Sequence, residues 1–158
     1  MYDKLASERE AFLMAFIDID NFQQIVDQLG EEGSDRILKL YSELLKSAFR
    51  SDDIIGRFGA DGFMLMLRRL MNRELIREKF GALCRQTFPG EVGMKITLSS
   101  SAGISFYPSD ADGYDTLMQN VDYALYEAKK LGKGQLCLFD EVYNHQAFLA
   151  QKEGSVSV

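Results

Sequence analysis

The run Arg57-Phe58-Gly59-Ala60-Asp61-Gly62-Phe63 constrains this chain more than any other stretch. Asp and Gly tolerate positive φ, so Gly59 to Gly62 reads as a tight hairpin turn between two apolar strands, Ile54 to Phe58 and Phe63 to Leu67. The turn carries an acid, Asp61, beside a residue with no side chain, Gly62. A second acid, Asp18, ends the run Phe12-Leu13-Met14-Ala15-Phe16-Ile17, which lacks polar alternation and is expected as a strand covered on both faces. Two carboxylates delivered by neighbouring strands are suited to hold a magnesium ion and a nucleoside triphosphate.

The rest of the chain supplies helices for such a sheet. Asp20 is expected to open a helix with Phe22, Ile25, Val26 and Leu29 at helical spacing and Gly30 as its stop, Asp20 itself serving as the cap. A second helix from about Ser34 carries the stripe Ile37, Leu38, Tyr41, Leu44, Leu45, Ala48 and Phe49. Arg73 to Phe88 reads as a third, broken by Pro89-Gly90. From Ile96 to Phe106 the pattern alternates, with Leu98, Ala102 and Ile104 facing one way and Ser99, Ser101 and Ser105 the other. Tyr114 to Leu131 is a helix stopped by Gly132, and Gln135 to Phe139 a last strand. Residues 2–10 read as the end of another helix, and 152–158 as a disordered tail. The expected fold is α+β, a ferredoxin-like βαββαβ core with a central, mainly antiparallel sheet flanked by helices. One domain is expected over 1–140, with 141–158 as a linker toward a further domain.

Composition narrows the function. In 158 residues the net charge is −6, which argues against a nucleic-acid partner, since phosphate neutralisation needs a basic face. Phe12 to Ile17 is the longest wholly apolar run, too short to cross a membrane, and no signal peptide is visible. Cys84 and Cys137 sit among apolar residues and read as reduced core cysteines of a cytoplasmic domain; membrane anchoring elsewhere in a longer protein stays open. The single histidine, His145, lies in a polar tail, which speaks against a His-centred triad or zinc site. Arg68, Arg69, Arg73 and Arg77 read as a solvated basic face.

Several segments carry a family. Ile17-Asp18-Ile19-Asp20-Asn21-Phe22, then Gly30 and Asp35, the hairpin run, Ser101-Ala102-Gly103-Ile104, and Asp122 through Lys133 resemble the GGDEF domains of diguanylate cyclases. The resemblance covers about Phe12 to Phe139 and implies a nucleotide-cyclase palm fold. The family's Leu-Thr-Gly-Leu opening is missing, so this sequence is expected to begin after it. In that family two GTP molecules, one on each of two domains, are joined into cyclic di-GMP. The resemblance implies metal ligation by Asp18, Asp61 and the Ile19 carbonyl, and a catalytic remnant at Asp61. It assigns Asp35 to guanine and Lys129 and Lys133 to phosphate.

The departures are equally specific. Gly62 stands where the family has glutamate, Gln23 where it has a phosphate-binding lysine, and Val26 where it has a guanine-reading asparagine. A valine leaves the guanine edge unpaired, at a cost of roughly 1–3 kcal/mol. Lys133 replaces an arginine, keeping the charge without the fork. By contrast Arg50-Ser51-Asp52-Asp53 keeps the family's Arg-x-x-Asp inhibitory site for cyclic di-GMP, in which an arginine fork pairs with guanine O6 and N7. The expectation is a degenerate, catalytically inactive domain with weakened magnesium binding. It would bind cyclic di-GMP or GTP and neighbour other signalling domains, among them an EAL phosphodiesterase domain. A weakly active cyclase and a non-binding scaffold or homodimerisation domain remain as alternatives.

Overall fold

The computed structural model describes residues 11–69, 72–90 and 93–143. In chain order it contains β1 (Phe12–Ile19), α1 (Phe22–Ala48), β2 (Ile54–Phe58), β3 (Gly62–Leu67), α2 (Arg73–Leu83), β4 (Arg85–Pro89), β5 (Lys95–Tyr107), α3 (Tyr114–Lys130) and β6 (Leu136–Leu138). The strands form one six-stranded sheet in the order β2-β3-β1-β5-β4, with β6 also on β5. Among the described residues, only the β5–β6 pair is parallel. The path β1-α1-β2-β3-α2-β5, with β2-β3-β1-β5 as neighbours in space, is the ferredoxin-like plan.

β1 is the centre of the sheet, and its two faces meet different helices. Leu13, Ala15, Ile17 and Ile19 pack against Ile37, Leu38, Tyr41 and Leu45 of α1 and Ile76, Phe80 and Leu83 of α2. Phe12, Met14 and Phe16 share the opposite cluster with Leu117 and Val121 of α3. Each large apolar side chain so buried contributes roughly 1.5–3 kcal/mol, which explains the continuous apolar run. No helix among the described residues is long and apolar enough to cross a membrane.

Several expectations change. The helix expected to reach Phe88 ends at Leu83, and Arg85–Pro89 forms β4, paired with Lys95–Ser99 of β5. Gly30 interrupts α1 as expected: its φ of 76° and ψ of 179° are non-helical, so the span Phe22–Ala48 is two helices that meet at a kink. That φ is left-handed, which a glycine accepts without strain. Ser101 and Ser105, expected on a polar face, are fully buried. Their face of β5 lies under α3, whose approach is set by Gly103. A Cβ there would stand 2.3 Å from the Leu125 amide nitrogen and 2.4 Å from the Val121 carbonyl oxygen.

After β6, Phe139 to Tyr143 is helical. Asp140 and Glu141 of this turn form ion pairs with Arg73 and Arg77, so the expected basic face is partly neutralised. The expected helix at 2–10, His145 and the expected disordered tail at 152–158 lie outside the described residues.

Candidate functional site

Strand parity decides where Asp18 points. Asp18 follows Phe12, Met14 and Phe16 on the face covered by α3, and its register partners are Gly62 on β3 and Ser101 on β5. The hairpin tip is held beside it: the Ile19 amide donates to the Asp61 carbonyl at 3.1 Å. Arg57 Nη2 donates to the Ala60 carbonyl at 2.9 Å, and the guanidinium lies 5.6 Å from the centre of the Phe63 ring. Because Gly103 lets α3 sit directly on the sheet, Lys129, one turn beyond Leu125, reaches Asp18 and forms an ion pair with its Oδ2. Asp18, Asp61, Gly62, Asp122 and Lys129 line one cavity of about 290 Å³, with Phe16 and Phe58 stacked at 4.8 Å on its wall.

The two acids are close enough to sense each other. Burial pushes the Asp61 carboxyl above its ordinary range, the charge of Asp18 and a hydrogen bond with it push the same way, and Lys129 partly opposes them. Gly62 faces this cavity without contributing to it. A Cβ there would lie 2.7 Å from the Phe58 carbonyl oxygen, 3.4 Å from that of Ile17 and 3.7 Å from Asp18 Oδ1. No group of three or more His, Cys, Asp and Glu is placed to hold a metal ion among the described residues.

The next turn of chain is structural. Asp20 is buried, at 7% exposure, and does not cap α1, whose N-cap is Asn21 with φ 55°. Its carboxylate accepts from Ser99 Oγ at 2.6 Å, Ser101 Oγ at 2.7 Å and the Gly134 amide at 2.9 Å. It thereby ties the end of β1 to β5 and to the loop after α3. Sequence reasoning missed this network; its one signal is the serine run Ser99-Ser100-Ser101 inside a strand with apolar neighbours. Lys133 Nζ donates to Asn21 Oδ1 at 2.8 Å, and Gln23 Nε2 to Asp27 Oδ1 at 3.0 Å. Val26 is half-buried, and Asp35 is exposed on the second half of α1, outside the cavity of Asp18 and Asp61.

The Arg50–Asp53 corner is a second cavity, of about 280 Å³, lined by Phe49, Arg50, Asp53, Leu67, Arg69, Leu75 and Lys79. Asp53 shapes it. Its carboxylate accepts from the backbone amides of Arg50 at 3.0 Å and Arg68 at 3.1 Å, closing the turn onto the end of β3. Lys79 Nζ lies 5.0 Å over the Phe49 ring. Arg50, Arg69 and Lys79 thus line one cavity together with Asp53 and Phe49.

The family described as diguanylate cyclase, GGDEF domain, matches residues 2–135. The chain belongs to the GGDEF family. As a GGDEF domain it is 28% identical over 126 residues to the cyclic di-GMP phosphodiesterase NbdA of Pseudomonas aeruginosa, covering 78% of this chain and 16% of that protein. It is 31% identical over 139 residues to the bifunctional diguanylate cyclase/cyclic di-GMP phosphodiesterase MucR of the same organism, covering 86% of this chain and 20% of that protein. The crystal structure of an EAL/GGDEF domain protein from M. capsulatus superposes with a TM-score of 0.72 at 30% identity, covering 87% of this chain and 93% of that one. The chain therefore spans a fifth or less of these two curated relatives. Within this GGDEF domain the fold brings together Asp18, Asp61 and Lys129, and separately Arg50 and Asp53. It leaves Asp35 and Lys133 apart from the first group.

Proposed function

We propose that this GGDEF domain belongs to a cyclic di-GMP signalling protein in which it no longer makes the dinucleotide and serves as a regulatory, nucleotide-binding module. The observation that carries the reading is the closed hairpin at Gly62. A Cβ there stands 2.7 Å from the Phe58 carbonyl oxygen, so the turn must shift to take a glutamate, and Gln23 and Val26 remain after that change. Phosphoryl transfer rests on positioned charge and metal, and this centre offers two acids and a lysine already paired with one of them. Magnesium binding is weakened accordingly. Gln23 and Val26 remove phosphate and guanine contacts as well. Losing one well-placed electrostatic stabiliser costs roughly 10²–10³ in rate, and several losses multiply.

The cavity at Arg50 and Asp53 takes cyclic di-GMP in this reading. Its arginines and Lys79 suit guanine acceptors and phosphate. The relatives NbdA and MucR are named for cyclic di-GMP chemistry, which supports a place in the same signalling system. An EAL phosphodiesterase domain is the natural neighbour in the full-length protein, as in the M. capsulatus protein. The test is chromatographic detection of cyclic di-GMP after incubating purified protein with GTP and magnesium. No product is expected from wild type, nor from Gly62→Glu; clear product from wild type refutes the reading.

A further inference from the structure

We infer that the cavity between the kink of α1 and the β4–β5 hairpin binds a small amphipathic anion, its apolar body inside and its carboxylate on Arg36. This cavity has a volume of about 290 Å³. It shares no lining residue with the centre at Asp18 and Asp61 or with the corner at Arg50 and Asp53. Nor do Val26 and Asp35, the guanine-reading positions of the resemblance, line it. Binding there is independent of the proposed function. Backbone geometry opens the space. The non-helical φ and ψ of Gly30 break α1 into two segments that meet at a kink. The hairpin extends past the end of β1: β4 pairs with residues 95–99 of β5, while β1 pairs with residues 100–107. The Gly90 amide donates to the Met94 carbonyl at 2.7 Å and closes the hairpin beside the kink.

The lining is mostly apolar and carries one cation. Ile37 is buried and Ile96 half-buried, while Leu29 and Met94 are 37% and 68% exposed. A Cβ on Gly33 would lie 2.7 Å from Leu29 Cβ, so the glycine lets Leu29 take its place on the wall. Large apolar side chains left in water beside a partly covered apolar space favour an apolar occupant. The polar side chains of the lining are Gln28 and Arg36. Arg36 is exposed, and among the described residues no acid forms an ion pair with it, Glu32 one turn earlier included. A guanidinium at the rim of an apolar space receives a carboxylate through two parallel hydrogen bonds. At roughly 30 Å³ for each heavy atom, the volume takes about ten of them. A medium-chain fatty acid or an aromatic carboxylate has that size and that division between body and head.

The experiment is an amide NMR titration of the whole chain with sodium octanoate, for wild type, Arg36→Gln, Arg36→Lys and Met94→Ser. Octanol and octylammonium serve as neutral and cationic probes of the same length. Wild type is expected to bind octanoate saturably at about a millimolar or below, with shifts gathered at Leu29, Gly33, Gly90 and Ile96. Arg36→Gln should weaken octanoate about tenfold and leave octanol unchanged, while Arg36→Lys keeps part of the affinity. Met94→Ser should weaken octanoate and octanol alike. Arg36 and Met94 are both exposed, so these variants are expected to fold as wild type does. The inference is overturned if octanoate causes no saturable shifts at several millimolar, if Arg36→Gln binds it as tightly as wild type, or if octylammonium binds as well as octanoate. Shifts confined to the cavities of Asp18 or Arg50 overturn it too. Neither GTP nor cyclic di-GMP enters this readout, so its failure leaves the proposed function standing, and failure of that function leaves this result standing.

Discussion

Asp20 and Asp61 are both acids at the same end of the sheet, and their environments give them opposite roles. Asp20 receives three donors from three parts of the chain, so its charge is satisfied and its duty is structural. Asp20→Ala should cost about 3 kcal/mol or more in urea unfolding, because the Ser99 and Ser101 hydroxyls lose a buried acceptor. In the sequence Asp20 looks like a helix cap, since an Asp before an apolar helical stripe is the usual signal; its true partners lie 79 or more positions away, beyond any local pattern. Asp18, Asp61 and Gly62 were legible because they sit in motif positions on adjacent strands. Asp61 also makes a pH prediction. Its carboxyl is raised in the folded state, so the native protein holds that proton more tightly than the unfolded chain, whose midpoint is about 3.9. This stabilisation is complete below the unfolded midpoint and is lost as pH rises through the folded one. Urea unfolding across that range should show wild type losing stability relative to Asp61→Asn as pH increases.

Elements were legible where period and length agreed. β1 reads as a doubly covered strand because six apolar residues in a row match neither helix nor half-exposed strand, and α1 and α3 carry clean helical stripes. α2 and β4 were not separated, for a physical reason: Phe80, Leu83, Cys84 and Phe88 are spaced as on one helix face, and all four are buried. The pairing of Arg85–Pro89 with β5, including Thr87 Oγ1 to Thr97 Oγ1 at 3.2 Å, overrides that local pattern. Gly103 shows the same gap. The sequence marks it only as a motif glycine, and the reason appears when α3 rests on it at less than van der Waals distance from a Cβ. Gly103→Ala should lift α3, cost about 3 kcal/mol in urea unfolding, and separate Lys129 from Asp18. An unchanged unfolding midpoint would show that the helix can slide at no cost.

At the scale of the molecule, the β2–β3 hairpin carries the two cavities at its two ends. Asp18, Asp61 and Gly62 surround the turn, while Arg50, Asp53, Leu67 and Arg69 lie where β2 begins and β3 ends. The α+β class and the order of the elements other than β4 could be read from hydrophobic period and turn residues. The close approach of the Phe58 carbonyl to Gly62 and the gathering of Arg50, Arg69 and Lys79 on one cavity depend on packing between distant segments and could not. In the proposed function the two ends differ: the centre at Asp18 and Asp61 lacks a hairpin carboxylate at Gly62, and the corner at Arg50 and Asp53 takes cyclic di-GMP. Calorimetric titration of cyclic di-GMP and, separately, GTP into wild type and Arg50→Ala tests this most directly. The account predicts that cyclic di-GMP binds wild type at micromolar concentration, that Arg50→Ala weakens it by about tenfold or more, and that GTP binds more weakly. No binding at high micromolar cyclic di-GMP, or equal binding by Arg50→Ala, would contradict it and leave a scaffold role in its place.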